Sequence, residues 1–162
     1  MAAAHAEVVH RRSTPPGQPQ PKTHTSEVAT MAISTHTLDI YGADLYLGTS
    51  AKDWKKLRKR GLPVDENAPE AAGLSQFATF HPDDGGLTKP VVILWLDLAA
   101  HRTVGDLVDT IAHEAAHAAG QLLEHVGHTP RGTDEPMAYL VGWLARWMWD
   151  QAGAARSAAL QD

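Results

Sequence analysis

A long amphipathic segment, residues 103–127, constrains the fold of this 162-residue chain more than any other feature. At about 100° per residue, its apolar side chains fall on one side of a helix and its polar side chains on the other. The apolar side holds Val104, Leu107, Val108, Ile111, Ala115, Ala118, Leu122 and Val126, and the polar side holds Asp106, Thr110, His113, His117, Gln121, Glu124 and His128. The segment therefore predicts a helix that packs on one side only.

Residues 113–117 of this segment read His-Glu-Ala-Ala-His. His113 and His117 lie one turn apart on one helical face, a spacing that lets two ring nitrogens share a tetrahedral Zn²⁺. Glu114 between them lies close enough to act on a metal-bound water, as in HExxH hydrolases. A random shuffle of this composition gives the pattern with a probability of roughly 3%. The alternative is a pair of surface or hydrogen-bonded histidines on an ordinary helix.

A catalytic zinc site normally has three protein ligands, so a third must be found. The extended His-Glu-x-x-His-x-x-Gly-x-x-His motif is excluded because position 123 is leucine. Glu135 is the predicted third ligand: it opens the next helix, after a turn that contains glycine and proline. Asp134 is the alternative ligand. Glu135 could instead have a purely structural role, as an acid at the helix N-terminus that complements the helix dipole.

The face of the second helix that carries Glu135 is predicted to look into the site. Its members are Glu135, Tyr139, Gly142 and Arg146, and Gly142 is predicted to permit close approach of the preceding helix. Glu124 and His128 lie two and three turns past the motif, too far at about 1.5 Å per residue to bind the same zinc. They are candidates for supporting or substrate contacts.

With these residues the chain resembles the gluzincins, zinc metallopeptidases in which HExxH is followed by a glutamate on a second helix. The resemblance covers roughly residues 38–150. It implies an α+β, minimal zincin-like fold: a small sheet packed on the HExxH helix and a second, Glu-bearing helix. It also implies zinc ligation by His113, His117 and Glu135, and Glu114 as general base. The strand before the active helix, Val91 to Asp97, would hold an extended peptide by main-chain pairing.

Larger gluzincins carry a lobe after the Glu helix that supplies transition-state donors, whereas about 27 residues follow Glu135 here. Tyr139, Arg146, His125 or His128 would take that role, with Tyr139 as the catalytic candidate. The expected function is a zinc-dependent metalloendopeptidase acting on a protein or peptide.

The alternative function is a zinc-stabilised, non-catalytic binding or accessory module that docks through its Trp-rich final helix. Trp143, Trp147 and Trp149 suggest such a docking face. Packing in the core is the more common role of large aromatic side chains.

The remaining segments suggest a disordered leader (1–36), one domain (37–152) and a short tail (153–162), with Met31 as a potential natural start. Alternation predicts one or two strands over 37–47, interrupted near Gly42. A helix over 51–60 should begin at Ser50 and end at Gly61, anchored by Trp54 and Leu57. Strands are predicted at 74–80 and 90–98, forming a hairpin, and helices at 103–127 and 134–151.

Composition limits the partners. The chain has no cysteine, so a metal must use His, Asp or Glu. The net charge of −5 makes nucleic acid an unlikely partner, and the six basic residues at 52–60 are expected to form a solvated helix face, with nucleic-acid binding as the alternative. No apolar run reaches membrane-spanning length, and the N-terminus lacks a secretory pattern, so a cytoplasmic protein is expected. The sequence does not determine the oligomeric state.

Overall fold

The computed structural model describes residues 33–82, 85–129 and 134–161, and within these ranges the protein is α+β, as predicted. The strands are β1 (Ser34–Leu38), β2 (Ala43–Gly48), β3 (Gly73–Phe80) and β4 (Lys89–Leu96). The helices are α1 (Ala51–Lys59), α2 (Val104–His125) and α3 (Glu135–Ala159). Met31, most of the predicted leader and parts of the predicted turns at 81–86 and 127–132 lie outside the described residues.

The strands form one mixed sheet in the order β1-β2-β4-β3. β2 pairs with β4 in parallel, whereas β1 and β3 pair antiparallel to their neighbours. The predicted hairpin of β3 and β4 is confirmed. The predicted interruption near Gly42 is also confirmed: a short 3-10 turn separates β1 from β2, and Gly42 adopts a φ of 62°.

β4 lies at the centre of the sheet because its continuous apolar run is buried on both faces. Val92, Leu94 and Leu96 pack with α2 and α3, and the alternating residues Val91, Ile93 and Trp95 pack with α1. The sheet is therefore sandwiched between α1 on one face and the two long helices on the other.

Helix α1 has the boundaries and anchors that its sequence predicts. Ser50 is the N-cap and accepts a hydrogen bond from the Asp53 amide at 3.2 Å, and Gly61 follows the helix with a φ of 78°. Trp54 and Leu57 are buried against the sheet. The cap and the apolar anchors thus hold α1 on the face of the sheet opposite α2.

Helix α2 begins with a capping box in which Thr103 and Asp106 bond each other's backbone amides. Most of its predicted apolar stripe is buried, but Val104, Val108 and Val126 are exposed. These three lie within five residues of an end of the helix. The buried face of α2 instead includes Ala119 and Leu123. These two residues belong to the same cluster as the core residues of α3.

Helix α3 runs to Ala159, beyond the predicted end at residue 151. The added residues are mostly alanine, the strongest helix former, and Ala152 is buried. The predicted role of Gly142 is wrong: a Cβ there would meet no atom within 4 Å, so no close helix approach requires this glycine. Within the described part of the chain, we find no helix with the length and apolarity to cross a membrane.

Candidate metal centre

His113 and His117 project from the exposed side of α2 with their rings side by side. Their Nε2 atoms are 3.0 Å apart, and the ring centroids are 4.5 Å apart at an interplanar angle of 77°. Two imidazoles bound to a tetrahedral zinc at 2.0–2.1 Å would have nitrogens about 3.3 Å apart. A small opening of the pair therefore suffices for both nitrogens to bind one ion.

Glu114 projects to a different side of α2, towards β3, and is 6% exposed. Burial raises the pKa of this carboxyl above its ordinary value, and the positive charge that His113 and His117 can carry lowers it in part. The helix thus presents two exposed imidazoles next to one desolvated carboxyl group. Such a carboxylate is a stronger base than one in water.

Gly73, at the start of β3, packs directly on Glu114. A Cβ at this position would lie 2.5 Å from Thr110 Cγ2 and 2.9 Å from Glu114 Cγ, closer than real Cβ contacts. Only glycine lets the strand approach α2 this closely. Sequence reasoning missed Gly73, although an isolated glycine in a strand is a known sign of close approach by another element.

His101 is a second site-forming residue that the sequence did not reveal. Its ring is buried, with Nδ1 2.6 Å from the Asp97 carbonyl oxygen and Nε2 2.9 Å from Thr110 Oγ1. It ties the loop after β4 to the turn of α2 that packs on Gly73. No spacing rule would have identified it, because its partners come from the fold.

Further along β3 and α2, two side-chain contacts join the strand to the helix. Ser75 Oγ donates a hydrogen bond to Gln121 Oε1 at 3.1 Å, and the rings of Phe77 and His125 lie 5.1 Å apart. A cavity of about 190 Å³ opens here, lined by Phe77, Gln121, Glu124 and His125. This cavity, with its aromatic and acidic lining, begins at Gln121, one helical turn past His117 on α2.

The prediction that residues Val91 to Asp97 pair with a peptide is wrong. β4 forms main-chain ladders with β2 on one side and with β3 on the other, so it offers no free edge. β3 is instead the edge strand on the side of Glu114. The error arose because the chain order of the strands differs from their spatial order.

Glu135 and Asp134 lie away from the histidine pair. α2 continues eight residues past His117, about 12 Å, and α3 begins only after the turn beyond it. Asp134 is the N-cap of α3, accepting from the Met137 amide at 2.9 Å and pairing with His128 at 2.7 Å. Within residues 33–82, 85–129 and 134–161, no three His, Asp or Glu side chains are grouped so as to hold a metal.

The predicted transition-state donors also lie elsewhere in this conformation. Tyr139 is 74% exposed, and Arg146 pairs with Asp150 at 3.9 Å. His125 packs on Phe77, and His128 contacts Asp134. Their catalytic roles, like the ligand role of Glu135, stay predictions. The structure brings His113 and His117 together and places Glu114 on the neighbouring, buried side of the same helix.

A scan against protein-family models and searches of curated proteins and solved structures find no match to this chain. The chemistry of the site must therefore be argued from its own residues.

Proposed function

We propose that this chain is a zinc-dependent metallopeptidase in which His113 and His117 bind the metal and Glu114 is the general base. The observation that carries the proposal is the pair of imidazole nitrogens 3.0 Å apart beside a buried carboxyl on the same helix. On an ordinary surface helix the glutamate would be exposed, whereas here it is buried and the two histidines on either side of it are exposed. Metal-assisted hydrolysis uses this combination of groups.

The residues fit zinc in part. Two imidazoles are suitable ligands at a suitable separation, but no third His, Asp or Glu of the described ranges joins them. A bound zinc ion would polarise a peptide carbonyl and lower the pKa of water. Because two protein ligands are fewer than a catalytic site usually has, we expect activity to depend on added zinc.

Glu114 supplies the proton chemistry of the proposal. Its raised pKa makes its carboxylate a better acceptor of a proton from the attacking water than an ordinary glutamate. The resulting carboxylic acid then returns the proton to the leaving amine. Gly73 of β3 packs directly against this side chain.

The proposed substrate is an extended peptide that adds to the outer edge of β3. An edge strand offers unpaired amide and carbonyl groups to an incoming strand. The cavity beside Phe77 and Glu124 would then receive a side chain of the peptide.

The direct test compares Glu114→Gln with Glu66→Gln, a matched change at an exposed glutamate that pairs with Arg58 of α1. Cleavage of an unfolded protein such as casein is measured at equal zinc content. We expect Glu114→Gln to lower the rate by about 10²-fold or more, the usual contribution of a general base. Glu66→Gln should retain cleavage. Equal rates in wild type and Glu114→Gln would remove Glu114 from the mechanism.

A second candidate function, the zinc-stabilised accessory module, is favoured by one observation. Trp143 and Trp149 are about two-fifths exposed, and Trp143 stacks parallel to Trp147 with His36 against both rings. Zinc binding without cleavage, together with loss of a bound partner in Trp143→Ala, would favour this module.

A further inference from the structure

A basic pocket lies on the face of the sheet opposite the candidate metal centre. α1 and its C-cap contain Lys52, Lys55, Lys56, Arg58, Lys59 and Arg60, six of the 14 Lys and Arg residues of the chain. Their helix packs on the sheet through Trp54 and Leu57, which places the basic side chains towards solvent. A cavity of about 530 Å³ opens among Lys55, Arg58, Lys59, Glu66 and Asn67.

Two cations in this pocket have no acidic partner among the described residues. Arg58 pairs with Glu66 at 3.2 Å, and Lys56 pairs with Asp53 at 3.2 Å. Among the residues placed by the structure, no carboxylate lies within 4.0 Å of Lys55 or Lys59. These two ammonium groups stand one turn apart at the same cavity, and Asn67 adds an amide donor. The pocket therefore offers an unsatisfied positive site to an anion.

The cationic stripe extends beyond the pocket. Lys52, Lys55 and Lys59 follow i, i+3 and i+7 spacing and are all exposed, so they form a row about 10 Å long. A row longer than its pocket suits a chain of anions better than one compact anion. A bilayer is less suitable, because the apolar side chains of α1, Trp54 and Leu57, are buried and none is left to insert.

We propose that this surface binds the phosphate backbone of nucleic acid, with one phosphate seated between Lys55 and Lys59. The interaction is independent of base sequence because lysine contacts to phosphate carry no sequence information. The acids Asp65, Glu66 and Glu70 of the following loop oppose it in part. We therefore expect a dissociation constant within the range typical of non-specific binding, about 10⁻⁴ to 10⁻⁶ M.

The test is fluorescence anisotropy of a labelled duplex of about 20 base pairs with the full chain, at about 50 to 200 mM salt. Three phosphate contacts predict a slope of log affinity against log salt near −2.7. The Lys55→Gln/Lys59→Gln double variant should bind about tenfold more weakly, with a slope shallower by about 1.8. The matched control, Arg146→Gln/Arg156→Gln, removes the same charge from α3 and should bind like wild type. Lys52→Gln should lower the affinity for the duplex by less than the double variant does.

Three results would overturn the proposal. The first is a salt slope near zero. The second is equal weakening by the α1 and α3 double variants, each shown to be folded by circular dichroism. The third is binding to phosphatidylserine vesicles or to inorganic tripolyphosphate without binding to the duplex, which would assign the pocket to a lipid surface or to a small phosphate compound. No outcome depends on peptidase activity.

Discussion

At the scale of single residues, the site combines two exposed histidines with a glutamate whose burial disfavours its charged form. Glu114 could be placed in the motif from the sequence, but its burial could not, because that depends on β3 approaching α2 at Gly73. His101 escaped prediction for the same reason: its two partners lie on different elements. A motif gives the identity of the reacting groups, whereas their environment comes from tertiary contacts.

Burial of Glu114 predicts a pH-dependent stability difference in the metal-free protein. The folded-state pKa is raised, so folding favours the protonated form, and this stabilisation is lost as the pH rises above the ordinary value of 4.5. Glu114→Gln, which cannot ionise, should have a larger free energy of unfolding than wild type at pH 7. The difference should shrink at or below pH 4.5. Urea unfolding at several pH values measures it, and a difference independent of pH would contradict the burial argument.

Gly73→Ala should damage both stability and activity. The added methyl group would overlap Thr110 and Glu114, and overpacking of this kind costs about 1–3 kcal/mol. Gly120→Ala is the matched control on α2, where a Cβ meets no atom within 4 Å and helix propensity should add up to about 1 kcal/mol. Urea unfolding and casein cleavage report the two effects. Wild-type stability in Gly73→Ala would show that the contact can relax.

At the scale of elements, the helices and the β3–β4 hairpin were predictable because each carries its own local signals. Ser50 and Gly61 bound α1, and the alternation of β3 and the apolar run of β4 identify two strands. Spatial strand order carries no such local signal. The sequence therefore misassigned the peptide-binding edge to β4, although β4 is paired on both sides.

The separation of Glu135 from the histidine pair gives a prediction about the two long helices. Since α2 extends eight residues past His117, and Asp134 pairs with His128 just beyond that end of α2, the first turn of α3 lies near the C-terminal end of α2 rather than beside the histidine pair. Glu135→Gln should therefore change zinc affinity by less than about twofold, whereas removal of the proposed ligand His117 should lower it by far more than tenfold. Isothermal titration calorimetry with zinc measures the affinity of each variant. A large loss in Glu135→Gln would restore Glu135 as the third ligand and require α3 to move.

At the scale of the whole molecule, the central sheet separates two surfaces with different chemistry. The candidate metal centre and the cavity beside Phe77 lie on the face covered by α2 and α3, and the basic pocket lies on the face covered by α1. The sequence predicted a basic helix and a helix with two histidines. It did not predict that these helices cover opposite faces of the sheet. The burial pattern of β4, alternating between two clusters, produces this separation.

The measurement that tests the central claim most directly is casein cleavage as zinc is titrated into the metal-free full chain. The proposal predicts that cleavage appears with zinc and saturates as the site at His113 and His117 fills. His117→Ala should remain inactive at the same zinc concentrations, because the metal loses one of its two histidine ligands. Cleavage that persists without zinc, or cleavage in His117→Ala equal to that of wild type, would contradict the assignment of His113, Glu114 and His117 as a metallopeptidase centre.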